Sequence, residues 1–103
     1  PQWWMRAVIV LNAVLVVPVF EEVLFRGLLQ SILTAHLGRP WLSILAVSVL
    51  FSMMHPYLTH LPALMVLSLA LGYACEKSGS LLRPIFIHIL FNGINITLAL
   101  LSS

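Results

Sequence analysis

Aspartate is missing from this 103-residue chain, and charge of either sign is scarce: three glutamates stand against one lysine and four arginines, 8% of all residues. A soluble domain carries roughly 25% charged residues. So few charges cannot cover a water-facing surface, which excludes an ordinary soluble domain. With 61% of residues hydrophobic, a disordered segment is excluded too. The pI near 9.3 comes from a net charge of +2, not from a basic patch, so nucleic acid is not an expected partner. The one cysteine, Cys75, leaves no internal disulfide framework and no cysteine-rich metal site. A signal-peptide pattern, an internal repeat and a low-complexity tract are likewise absent. What is present in excess is apolar length, and the lipid bilayer is the expected solvent. The chain opens on Pro1 rather than Met, and we expect a single domain over 1–103 that is a segment of a longer membrane protein.

The charges divide the chain. None falls between Ala7 and Phe20, between Pro40 and Cys75, or between Pro84 and Ser103. A membrane-spanning helix needs about 20 apolar residues, so the central run of 36 has room for two. His55-Pro56 and Leu61-Pro62 interrupt it, because proline disfavours helix in the residue before it. The pattern predicts an all-α, polytopic transmembrane bundle with about four membrane helices, over 4–36, 41–55, 62–77 and 81–101. Gly38 and Gly79 suit helix ends, Ser80 an N-cap and Pro84 a first turn. Trp3, Trp4 and Trp41 suit the membrane interface. Arg39, Lys77 and Arg83 gather by the 37–40 and 77–81 turns, which the positive-inside rule places in the cytoplasm of a plasma-membrane protein.

Polar groups in membrane helices are costly, so each calls for a reason. Glu22 and Arg26 are four apart, about 40° around a helix, and are expected to pair. Glu21 points about 100° away from Glu22 and is left free to act. Pro18 cannot bond the Val14 carbonyl and is expected to kink the helix just before the glutamates. His55 closes the second helix, four residues after Phe51, while His88 and Asn92 share one face of the fourth. Glu21 and His55 each lie 17 residues from a turn centred at 38, about 26 Å deep. Asn92 lies about 20 Å and His88 about 14 Å from the Gly79 turn. These depths allow Glu21, His55, His88 and Asn92 to gather around one water molecule.

Glu21-Glu22-Val23-Leu24-Phe25-Arg26 reads as EExxxR, Phe51-Ser52-Met53-Met54-His55 as FxxxH, and His88-Ile89-Leu90-Phe91-Asn92 as HxxxN. In that order they resemble the CPBP (Abi) family of intramembrane proteases, which includes type II CAAX prenyl endopeptidases and bacteriocin-processing or immunity proteins. The resemblance covers nearly the whole chain. It implies an endopeptidase acting on membrane-associated protein or peptide substrates, prenylated or leader-bearing. Glu21 would activate water with His55 assisting, His88 and Asn92 would hold the oxyanion, and Glu22 and Arg26 would form a supporting ion pair. The family's metalloprotease label implies an alternative, zinc held by Glu21, His55 and His88. The chain has no HExxH spacing, and a glutamate with two histidines can work without a cofactor, which is the expectation here.

Two readings of other classes stand beside this one. A non-proteolytic scaffold or bacteriocin-immunity protein would keep the same residues as a polar core. A proton-coupled transporter segment would use a carboxylate as a relay. His36 and His60 fall near helix ends and Cys75 reads as a small hydrophobe. Gly27, Gly72 and Gly93 suit close helix approach.

Overall fold

A computed structural model describes residues 2–103. Among the described residues there is no strand, and four helices form an all-α bundle: α1 (Gln2–Leu37), α2 (Pro40–Met53), α3 (Leu61–Ser78) and α4 (Leu82–Ser102). A single 3-10 turn, Leu58–His60, leads into α3. Helix α1, α3 with its lead-in, and α4 are each long and apolar enough to cross a membrane. Helix α2, at 14 residues, reaches only about 21 Å.

The helix ends follow from local chemistry. Gly38 and Gly79 adopt left-handed conformations, φ 70° and 66°, which a side chain resists. Their N–H groups close the last turns of α1 and α3 onto Thr34 and Cys75 carbonyls at 2.8 and 2.9 Å. The N-cap of α4 is Leu81 rather than the expected Ser80, whose hydroxyl accepts the Leu82 N–H at 3.1 Å from one residue further out; Pro84 falls in the first turn of α4, as expected. The boundaries lie within two residues of the expected ones. One such shift matters chemically: α2 ends at Met53, so His55 sits in the bend before Pro56 rather than on the helix.

The long α1 is not uniform. It winds as a π-helix over Asn12–Val16 and again over Val23–Gln30. The first stretch corrects the expectation about Pro18. The Val17 N–H reaches the Asn12 carbonyl, five residues back. In that register the partner of the Ala13 carbonyl would be residue 18, a proline with no N–H. Asn92 on α4 supplies the missing donor, its Nδ2 standing 3.0 Å from the Ala13 oxygen.

Helices α1 and α3 lie side by side and parallel, with Arg26 bonded to Ser68 and Gln30 to Gly72. Helix α4 runs antiparallel to α1, so that His88 meets Glu22 and Asn92 meets Ala13. Small residues permit these approaches: a Cβ on Gly72 would stand 2.9 Å from both Ile44 and Gln30. Leu81 packs 3.2 Å from the place a Cβ on Gly27 would take. The second turn therefore starts α4 part-way up α1, well above the Gly38 turn. The apolar core is small: Phe25, Val47 and Phe51 flanked by Leu29, Leu33 and Leu64, with Ile44, Leu67 and Leu71 also buried. Most other large apolar side chains face outward.

Candidate active site

Glu22 is completely buried, and so is Arg26. One Glu22 oxygen, Oε2, accepts from Arg26 Nη1 at 3.2 Å and from His88 Nδ1 at 2.7 Å. Arg26 then turns its other amino group to Ser68, donating to the carbonyl at 2.7 Å and also to the hydroxyl. Its guanidinium lies 5.2 Å from the centre of the Phe51 ring. An uncompensated charge in so dry a place would cost several kcal/mol. Each charge here has more than one partner, which is what lets the pair persist.

Glu21 has a different environment. Its side chain is 26% exposed, and Oε1 stands 3.5 Å from His88 Nε2. The two carboxylates do diverge around the helix, but His88 reaches both, one ring nitrogen to each. Nδ1 is the ring nitrogen that meets Glu22. That leaves Nε2 as the nitrogen turned to Glu21, its orientation set by the buried ion pair. His88 is this deep because Leu81 starts α4 beside Gly27, a shift that counting residues from Gly79 does not contain.

The other two expected members stand one residue away. His55 spends Nδ1 on the Phe51 carbonyl at 2.8 Å, and its ring lies 4.9 Å from the Phe51 ring. Phe51, fully buried, also touches His88 at 5.9 Å and Phe25 at 5.2 Å between ring centres. Among the described residues no hydrogen bond or ion pair joins His55 to Glu21, Glu22 or His88. Asn92 has its amide on Ala13. The structure thus brings Glu21, Glu22, Arg26 and His88 into direct contact, and holds His55 through Phe51 and Asn92 through α1. Of the four side chains expected around one water, Glu21 and His88 meet directly, while His55 and Asn92 each bond a backbone carbonyl. The early end of α2 and the carbonyl freed by Pro18 are the causes.

Ser68 and Gln30 belong to this neighbourhood, yet composition and motif spacing alone do not mark them; Phe51 was marked as the first residue of FxxxH. One signal was present: Arg26 and Gln30 are four apart, and so are their partners Ser68 and Gly72. Matched i,i+4 pairs of polar and small residues on two apolar helices predict a contact.

Zinc held by Glu21, His55 and His88 would need donors converging at about 2.0–2.2 Å. Among the described residues no three His, Cys, Asp or Glu side chains come together in that way. His88 and Glu21 supply two donors, but His55, bonded to the Phe51 carbonyl, makes no contact with either that would complete a set of three. These side chains, as placed, do not fit the ion.

A family model described as type II CAAX prenyl endopeptidase Rce1-like matches residues 2–94. No curated protein matches the chain. No solved structure matches it either.

Proposed function

The chain belongs to the Rce1-like family of type II CAAX prenyl endopeptidases, and from that membership we propose that it hydrolyses peptide bonds of membrane-associated substrates. The observation that carries this reading is the division of labour between adjacent glutamates. Glu22 is buried, paired and spent on structure; Glu21 is partly exposed and stands beside His88.

In this mechanism Glu21 takes a proton from a water held between its carboxylate and the substrate carbonyl. The resulting hydroxide forms the new C–O bond. His88, kept in register by Glu22 through Nδ1, steadies the developing negative charge with the resemblance's second donor, Asn92, whose Nδ2 has one N–H left after bonding Ala13. The C–N bond then breaks, and Glu21 returns its proton to the departing amine. His55 assists from the bend after α2, where its Nε2 remains free of the Phe51 bond. We assign the reaction to these side chains without a metal. Substrates are prenylated or leader-bearing chains lying at a membrane. The Gly38 and Gly79 turns, flanked by Arg39, Lys77 and Arg83, face the cytoplasm of the plasma membrane.

The scaffold reading draws on the same buried knot of Glu22, Arg26 and Ser68, which stabilises packing with or without chemistry. Glu21 separates the two, since packing has no use for a carboxylate left partly exposed. The test is cleavage by the full-length protein in vesicles, using a prenylated peptide and a leader-bearing peptide, with and without chelator. We expect product from at least one peptide and no loss with chelator. No product from either would overturn the protease reading. Loss with chelator that zinc restores would overturn the metal-free one.

A further inference from the structure

Lys77 and Arg83 flank the turn that joins α3 to α4. Among the described residues neither has a carboxylate within ion-pair reach. The chain holds three glutamates, and two of them, Glu21 and Glu22, stand at the candidate active site. The third, Glu76, lines a separate hollow with Pro40 and Trp41. The two cations share a different hollow, of about 300 Å³, between Tyr73, Ala74 and Ser78 of α3 and Ile87 of α4. No acidic group lines it.

Each helix contributes one face to this hollow. Tyr73 and Lys77, Ala74 and Ser78, and Arg83 and Ile87 are all four residues apart. The Lys77 ammonium stands 5.9 Å from the centre of the Tyr73 ring. Ser78 is already occupied, its hydroxyl donating to the Ala74 carbonyl at 2.7 Å and accepting the Ser80 N–H at 3.3 Å. A groove of about 250 Å³ borders the hollow, sharing Arg83 and Ile87 and adding Leu82 and Phe86. Leu82 and Phe86 are exposed, and Leu90, one turn past Phe86, continues that apolar surface along α4.

The wall chemistry selects an occupant. Two unpaired cations exclude a cationic ligand, and a neutral one would leave both charges uncompensated. A zwitterionic headgroup brings an ammonium that they repel. A soluble anion would meet the charges but make no use of the apolar groove beside them. A lipid with a net negative headgroup uses both, and basic pockets between membrane helices are suited to such headgroups. We propose that the α3–α4 turn holds one anionic phospholipid, its phosphate between Lys77 and Arg83 and an acyl chain along Ile87 and Phe86. The site requires only that the helices lie in a membrane, so it stands or falls apart from catalysis.

The test is native mass spectrometry of the full-length protein in detergent, titrated with phosphatidylglycerol or with phosphatidylcholine of the same acyl chains. Glycerophosphate serves as the soluble headgroup. One Lys or Arg at an anionic lipid surface is worth about fivefold in affinity, so two predict a preference for phosphatidylglycerol of at least about twentyfold. Lys77→Gln and Arg83→Gln should each weaken its binding about fivefold, while Lys77→Arg should not. Both side chains are exposed, so these substitutions spare the packing. Arg39→Gln is the control, an exposed cation at the Gly38 turn outside the hollow, and should change nothing. Equal binding of the two lipids would overturn the site. A preference that Arg39→Gln lowers as much as Arg83→Gln would reduce it to diffuse charge attraction and overturn it too. Glycerophosphate binding as tightly as phosphatidylglycerol would make the occupant a soluble anion, against the proposal.

Discussion

The first ten residues of α1 and the stretch from Val23 to Gln30 belong to one continuous helix, yet they behave as different materials. Gln2–Leu11 buries nothing. Val23–Gln30 buries Phe25, Arg26 and Gln30, two of them polar. In water the apolar face of a helix turns inward. In lipid an apolar face is at home anywhere, so it does not choose a side. What orients α1 is the match between its polar residues and small or polar groups opposite: Glu22 to His88, Arg26 to Ser68, Gln30 to Gly72. The buried face of α1 is mostly its polar face.

Four substitutions probe that contrast, each read as a shift in unfolding midpoint of the detergent-solubilised protein. The largest effect is expected from Glu22→Gln, which leaves Arg26 buried without its countercharge, a loss of about 3–5 kcal/mol. Gly72→Ala comes next. Its new methyl meets Ile44 and Gln30 at 2.9 Å, and separating α3 from α1 and α2 should cost about 1–3 kcal/mol. Ser68→Ala removes one acceptor from Arg26 but spares the carbonyl, so a loss of about 1 kcal/mol is expected. Ile9→Ala, on the unburied stretch, should change stability by no more than about 0.5 kcal/mol. If Ile9→Ala proved as costly as Ser68→Ala, the distinction between the two stretches of α1 would be lost.

Much of the fold was legible because helix ends obey local rules. Gly38, Gly79, Ser80, Pro40 and Pro62 each sit where backbone chemistry requires them, and boundaries followed to within two residues. The Glu22–Arg26 pair was legible for the same reason, since i,i+4 partners need no knowledge of the rest of the chain. Relations between helices were harder. His88 reaches the glutamates because Leu81 packs beside Gly27, a height difference between two turns that counting residues does not contain. Asn92 bonds Ala13 because π winding moves the carbonyl that Pro18 leaves open by one residue. A single hydrogen-bond register, invisible in the motif, decided where that side chain points. Ser68 escaped notice because a serine in an apolar run carries no mark until its arginine is known.

The central claim is that adjacent glutamates do different work, Glu21 chemistry and Glu22 architecture. Glu21→Gln tests it most directly, with peptide cleavage and thermal unfolding followed on the same preparation. The account predicts that cleavage falls at least about 100-fold while the unfolding temperature stays put. Retained cleavage, or cleavage lost only together with the fold, would contradict it.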